Sequence, residues 1–298
     1  LDPAELHAVS RFFSHFAEYP LAYILPQKKP EGDLHKVQDD SLFAADLGAL
    51  LKSILGGDAL AEKVRGTLSR SDWQWDLDSA LAFANDGAGI HPESLFSVAR
   101  RFQLLEVLEG HPGHEVFDRV RKLEGESFRQ AAAVLVRQNH YVTQKCGESL
   151  QPAVEIAQSA KTKVLEFIKE EDGHDAILGV AMKALVEDPE SVPVTPTTQA
   201  LMAMLKFAAG RNLLGFAMIV DAFERTTYQD EDPLAKLLRE GGFEKAGRHI
   251  NRHKQINDAG EHENLALSFL AAMGSCDRAY ATEALRLAEA TILVMLSL

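Results

Sequence analysis

The period of the apolar residues is the strongest constraint on what this chain can become. Along nearly its whole length hydrophobic side chains recur at three- and four-residue steps, punctuated by Pro, Gly and Asp, with none of the sustained alternation that a half-buried strand requires. An all-α fold follows. With 298 residues, 46% of them hydrophobic and 25% charged, the chain can bury a core and does not have a disordered composition. Lys and Arg total 31 against 44 Asp and Glu, a formal charge of −13, so a polyanion is repelled on average and no nucleic-acid partner is expected. Cys146 and Cys276 are too few for a disulfide scaffold and too far apart for a CxxC motif. No apolar run approaches the ~18 residues that would span a bilayer, and no basic segment followed by an apolar one opens the sequence. A cytoplasmic protein with no membrane partner is expected, and because the first residue is Leu1 rather than Met, a preceding segment is expected too.

Helix starts and loops divide the chain into two regions. Residues 1–125 read as an N-terminal helical region of short helices over 3–19, 40–55, 58–69, 76–84 and 92–108, with loops at 28–33, 85–89 and 110–113. Residues 126–298 read as a bundle, because helices lengthen from Ser127 as they must if each is to run along a common core. The expected members are 127–146, 152–171 continuing or kinking at Gly173 into 175–186, 197–228, 233–240 with 243–257, and 261–298 with a break near Gly274. The triple-proline stretch 187–196 is a loop.

Three places carry residues suited to chemistry. In KVLEFIKEEDGHDAIL, Glu171 and His174 stand three apart and Glu170 is one turn before His174, so they share a helical face with Val164, Phe167, Ile168 and Leu178. A carboxylate and an imidazole in such surroundings are costly to bury unless they pair or ligate a metal, and Glu-x-x-His is how one helix offers two ligands to iron. A salt bridge or a kink at Gly173 is the plainer reading. In LLGFAMIVDAFE, Leu213, Phe216, Ala217 and Val220 form a seam that ends at Glu224, either a ligand or a carboxylate at the wet end of the helix. In RHINRHKQINDAGEHENLAL, His249, His253 and Asn257 fall on one face and Asp258 and His262 on another, with Glu261 beside them; a solvated polar face is the alternative there.

Taken together, in order on successive long helices, these places resemble the heme-oxygenase-like helical superfamily over about residues 127–298. Within it the likeness is to the non-heme diiron oxidases and oxygenases, related to the TenA thiaminase-like and PqqC-like proteins. The resemblance implies that Glu171 and His174 form the first ligand element, Glu224 the second and His253 the third. One turn after His253 the chain has Asn257, with Asp258 beside it, and His262 is displaced in helical phase, so one or two iron ions are implied. His140 and Tyr141 lie late in their helix and are expected to line the pocket together with Glu170, His249 and Glu261, with simple packing or a helix-surface position as the alternative for His140 and Tyr141; heme is not expected.

His111 and His114 have zinc-like spacing but sit in a Pro/Gly turn, and Trp73 and Trp75 read as anchors of the N-terminal helices. Both cysteines read as ordinary buried thiols. The expectation is thus an iron-dependent oxidase acting with O₂ on a small organic substrate, fatty or derived from an amino acid. The rivals are a metal-free TenA/PqqC-like enzyme acting on a heterocycle and a non-enzymatic helical binding or assembly protein. The N-terminal helices would cap the bundle or form a homodimer contact.

Overall fold

Helix starts are set by proline in the first turn and by side chains that accept backbone N–H groups otherwise left without partners. Thr195 accepts from the N–H of Thr198 ahead of Pro196, and Asp232 accepts from Leu234 and Ala235 ahead of Pro233. The computed structural model describes residues 43–55, 89–99, 114–224, 231–259 and 265–295. Among these residues all regular elements are helical, in the order α1 (Phe43–Leu55), α2 (Pro92–Ala99), α3 (His114–Arg121), α4 (Gly125–Leu150), α5 (Ala153–Ile156), α6 (Lys161–Glu170), α7 (His174–Lys183), α8 (Pro196–Ala209), α9 (Leu213–Glu224), α10 (Pro233–Glu240), α11 (Glu244–Ala259), α12 (Leu265–Ala272) and α13 (Arg278–Met295). Short 3₁₀ turns occur at Gln158–Ala160 and Pro189–Ser191, and a lone antiparallel bridge joins Ile90 to Cys276. No helix among the described residues is long and apolar enough to cross a membrane. The helices expected over 3–19, 58–69 and 76–84, the loop at 28–33, and Trp73, Trp75 and His111 lie outside the described residues.

Two expected helices prove to be interrupted. The stretch expected as one helix over 197–228 is α8 and α9, because Gly210 closes the first and Asn212 caps the second, its Oδ1 accepting from the Gly215 N–H at 3.0 Å. Asparagine competes with the helix for its own backbone, which favours such a boundary. The stretch expected over 152–171 is α5, a 3₁₀ turn and α6, broken at Gln158, which has φ 45°. The expected breaks at Gly173 and near Gly274 fall between α6 and α7 and between α12 and α13.

Apolar side chains gather in two clusters rather than one. The larger unites Leu51 of α1 and Leu95 and Phe96 of α2 with α8, α9, α12 and α13; the smaller is built from α3, α7, α10, α11 and the first half of α4. Helix α4 has 26 residues, about 39 Å at 1.5 Å per residue, and serves both. Its Phe128, Ala132, Ala133 and Val136 belong to the smaller cluster, and its Cys146 and Leu150 to the larger.

Helix α9 is apolar on every side, as a helix must be when neighbours surround it, and all residues from Leu213 to Ala222 are buried. Gly215 permits its close crossing with α13: a Cβ there would stand 3.2 Å from Ala284 Cα and 3.1 Å from a Leu287 methyl. A buried polar clasp holds the start of α9. Arg211 donates twice to Glu283 Oε2, at 3.0 and 2.8 Å, Asn212 Nδ2 donates to Glu283 Oε1 and to the Tyr280 carbonyl, and the Leu213 N–H donates to the Tyr280 hydroxyl. Glu283 is 3% exposed, so removing its carboxylate strands a guanidinium and an amide in the interior. Replacement Glu283→Leu is therefore expected to lower stability by about 3–5 kcal/mol in urea denaturation; a loss below about 1 kcal/mol would show that the clasp does not hold α9.

Candidate functional site

The polar residues singled out above meet where the two apolar clusters adjoin. Helix α6 ends at Glu170, Glu171 follows as its cap, and Gly173 at φ 91° turns the chain so that His174 opens α7. Glu171 and His174 therefore do not share the face of one continuous helix. They face each other across a tight turn, with His174 Nδ1 3.2 Å from Glu171 Oε2, and both are almost wholly buried. Only glycine adopts that φ without steric cost.

Helix α9 delivers Glu224 as its last residue, and α11 answers it. Asn257 Nδ2 donates to Glu224 Oε2 at 3.0 Å, and His253, one turn earlier, sets its ring edge-on to His174 with centroids 5.0 Å apart and planes at 83°. From α4, the Cys146 thiol donates to Glu171 Oε2 at 3.8 Å. These groups surround a cavity of about 120 Å³ lined by Cys146, Glu171, Glu224, His253 and Asn257, with Phe167, Leu205 and Val220 of the larger cluster and Leu178 of the smaller as apolar walls. Asn139, exposed on α4, also lines it and marks its open side.

Electrostatically the cavity is acidic. Among the described residues, no Lys or Arg lines it. Burial, reinforced by the Glu171 and Glu224 carboxylates, pushes the Cys146 thiol far above its ordinary value, so it stays a neutral S–H donor. Carboxylates and imidazoles together are suitable donors for a divalent transition metal. Among the described residues, no group of three or more His, Cys, Asp or Glu side chains is already arranged to hold a metal ion. The Glu171–His174 pair is also an arrangement able to hold and pass a proton.

Other expected site residues lie elsewhere. Asp258 turns to Lys254, whose Nζ donates to its Oδ2 at 2.5 Å, and Glu170 is exposed. His249 is half-buried away from the lining residues, its basicity lowered by burial and by Lys245, Arg252 and Arg248. His140 is buried between Arg137, whose Nη1 is 3.4 Å from its Nδ1, and Gly179, while Tyr141 lies under the Arg137 guanidinium at 6.0 Å; neither lines the cavity. Glu261 and His262 lie outside the described residues. Cys146, read from the sequence as an ordinary buried thiol, is buried and also lines the site. Its signal was the stripe Asn139, Thr143, Cys146 and Leu150, which recurs at helical steps along one face of α4.

Comparison of this chain with protein-family models, with curated proteins and with solved structures returned no match.

Two outcomes follow from this geometry. Gly173→Ala forces a side chain into left-handed backbone and is expected to cost about 1–2 kcal/mol while shifting His174 against Glu171; an unchanged melting temperature would contradict the role given to the turn. His140 has its basicity lowered, first by burial and then by Arg137, against the opposing pull of Glu190 and Asp175. The folded state thus binds this proton less readily than the unfolded chain, so the stability involved is complete above about pH 6.5 and is lost as pH falls through the lower folded value. Thermal melts of His140→Gln between pH 7.5 and about 5 should show a shallower acid slope than the parent protein. Parallel slopes would refute the assignment.

Proposed function

We propose that this protein is a non-heme iron oxidase or oxygenase of the heme-oxygenase-like kind, acting with O₂ on a small organic substrate. One observation carries the reading: two carboxylates and the His253 imidazole, delivered by the α6–α7 turn, α9 and α11, line a single small cavity, with the His174 imidazole set against both Glu171 and His253. Ionisable groups are costly to remove from water together without a cation to share, and mixed carboxylate and imidazole donors suit Fe(II) with positions left open. The fit is supported by Asn257, whose Nδ2 steadies Glu224 while its buried Oδ1 has no hydrogen-bond partner.

In this reading Glu171, His174, Glu224 and His253 would hold the iron. Bound iron supplies the electron transfers that activate dioxygen. The chain's own groups do the rest. Asn257 orients the Glu224 carboxylate, and the Cys146 S–H orients that of Glu171, which is how outer hydrogen bonds fix ligands. Phe167, Leu205 and Val220 keep bulk water from the apolar walls of the cavity.

Titration with Fe(II) under anaerobic conditions, followed by elemental analysis, tests the proposal. Retained iron of at least one ion per chain and a raised melting temperature are expected, with both lost in Glu171→Ala and His253→Ala. Absence of uptake by the folded parent protein would overturn it. A second reading, a metal-free acid–base enzyme, is favoured by the close Glu171–His174 contact and by the lack of a ready-made group of three donors among the described residues. It predicts turnover that survives chelation.

A further inference from the structure

The cavity's size and its polar groups together restrict what can occupy it. An apolar cavity of about 150 Å³ holds benzene, and this one is about 120 Å³, so it encloses a molecule of roughly five non-hydrogen atoms within its walls. A long acyl chain is not enclosed by it. Phe167, Leu178, Leu205 and Val220 supply apolar walls, and each is at most 3% exposed.

The polar lining favours a hydrogen-bond donor carrying positive charge. Glu171 and Glu224 contribute carboxylates, no Lys or Arg lines the space among the described residues, and Lys254, next to His253 in sequence, is drawn off to Asp258. One N–H of the Asn257 amide goes to Glu224, and Oδ1 of this lining residue is a buried acceptor with no hydrogen-bond partner among the described residues.

We propose that the cavity selects a compact primary amine, its ammonium head received by Asn257 Oδ1 beside Glu224 and its chain of about four carbons enclosed by Phe167, Leu178, Leu205 and Val220. This rests on the reading of the cavity as a substrate site and deepens it by naming the substrate class. Both carboxylates then act in concert with the amide to exclude anions of the same size.

Three probes of nearly equal volume decide the matter: n-butylamine, 1-butanol and butyrate, titrated calorimetrically at pH 7 into the full chain, first chelator-treated and then loaded anaerobically with Fe(II). Butylamine is expected to bind at least about tenfold more tightly than butanol, butyrate not at all, and n-octylamine far more weakly than butylamine. Asn257→Ala, checked for folding by circular dichroism, should lose about tenfold in butylamine affinity. Butanol or butyrate binding as well as butylamine, octylamine binding equally well, or no amine binding in either sample overturns the inference. Iron uptake is read in the same samples. Iron without amine removes this inference and leaves the iron site standing, whereas amine without iron does the reverse.

Discussion

Desolvation of Glu171 and His174 is the constraint around which this molecule is arranged. Both side chains are about 5% exposed, in a region whose walls include the aliphatic and aromatic side chains of Phe167, Leu178, Leu205 and Val220. An isolated charge there would neutralise or draw water in. The chain instead sets the pair face to face and brings a thiol, a second imidazole and a second carboxylate within the same small space. The folding problem is then to hold four separate segments in register around a polar centre that adds little cohesion of its own.

That register comes from the apolar packing on either side. Helix α4 is long enough to belong to both clusters and carries Cys146 and Asn139 past the point where they adjoin. Helix α9 is surrounded by neighbours, and its start is clamped by Arg211, Asn212, Tyr280 and Glu283, so Glu224 at its far end is placed by a rigid rod rather than a loop. Helix α11 lies against α7 and α10, with Gly247 allowing α10 close: a Cβ there would meet the Ala235 carbonyl at 2.8 Å. Rigid elements of this kind can hold reactive side chains within the tolerance that ligation or proton transfer demands.

Much of the site was legible because helical spacing already encodes neighbours. Glu171 and His174 three apart, Glu224 at the end of an apolar seam, and His253 with Asn257 one turn on are relations of a single helix or turn, readable without knowing what packs against what. The details that were not legible depend on distant partners. Whether Asp258 faces the cavity or Lys254 is a competition between two neighbours on α11, and the ion pair wins. His140 and Tyr141 sit on α4 close to the cavity in sequence terms, but Arg137 and Gly179 engage that face instead. Cys146 carried no local motif, and only the approach of the α6–α7 turn gives its thiol a carboxylate to meet.

The amino-acid sequence by itself determined that the protein is helical, where most of its later helices begin and end, and which residues could act in pairs along one helix. These are properties of periodicity, capping and backbone preference, which operate over a few residues. Tertiary structure decided that the apolar residues divide into two clusters and that Glu171, Glu224 and His253 border one cavity. Such outcomes depend on the balance of burial and polar satisfaction among segments as much as 243 residues apart, Leu51 and Val294, a balance no local pattern contains.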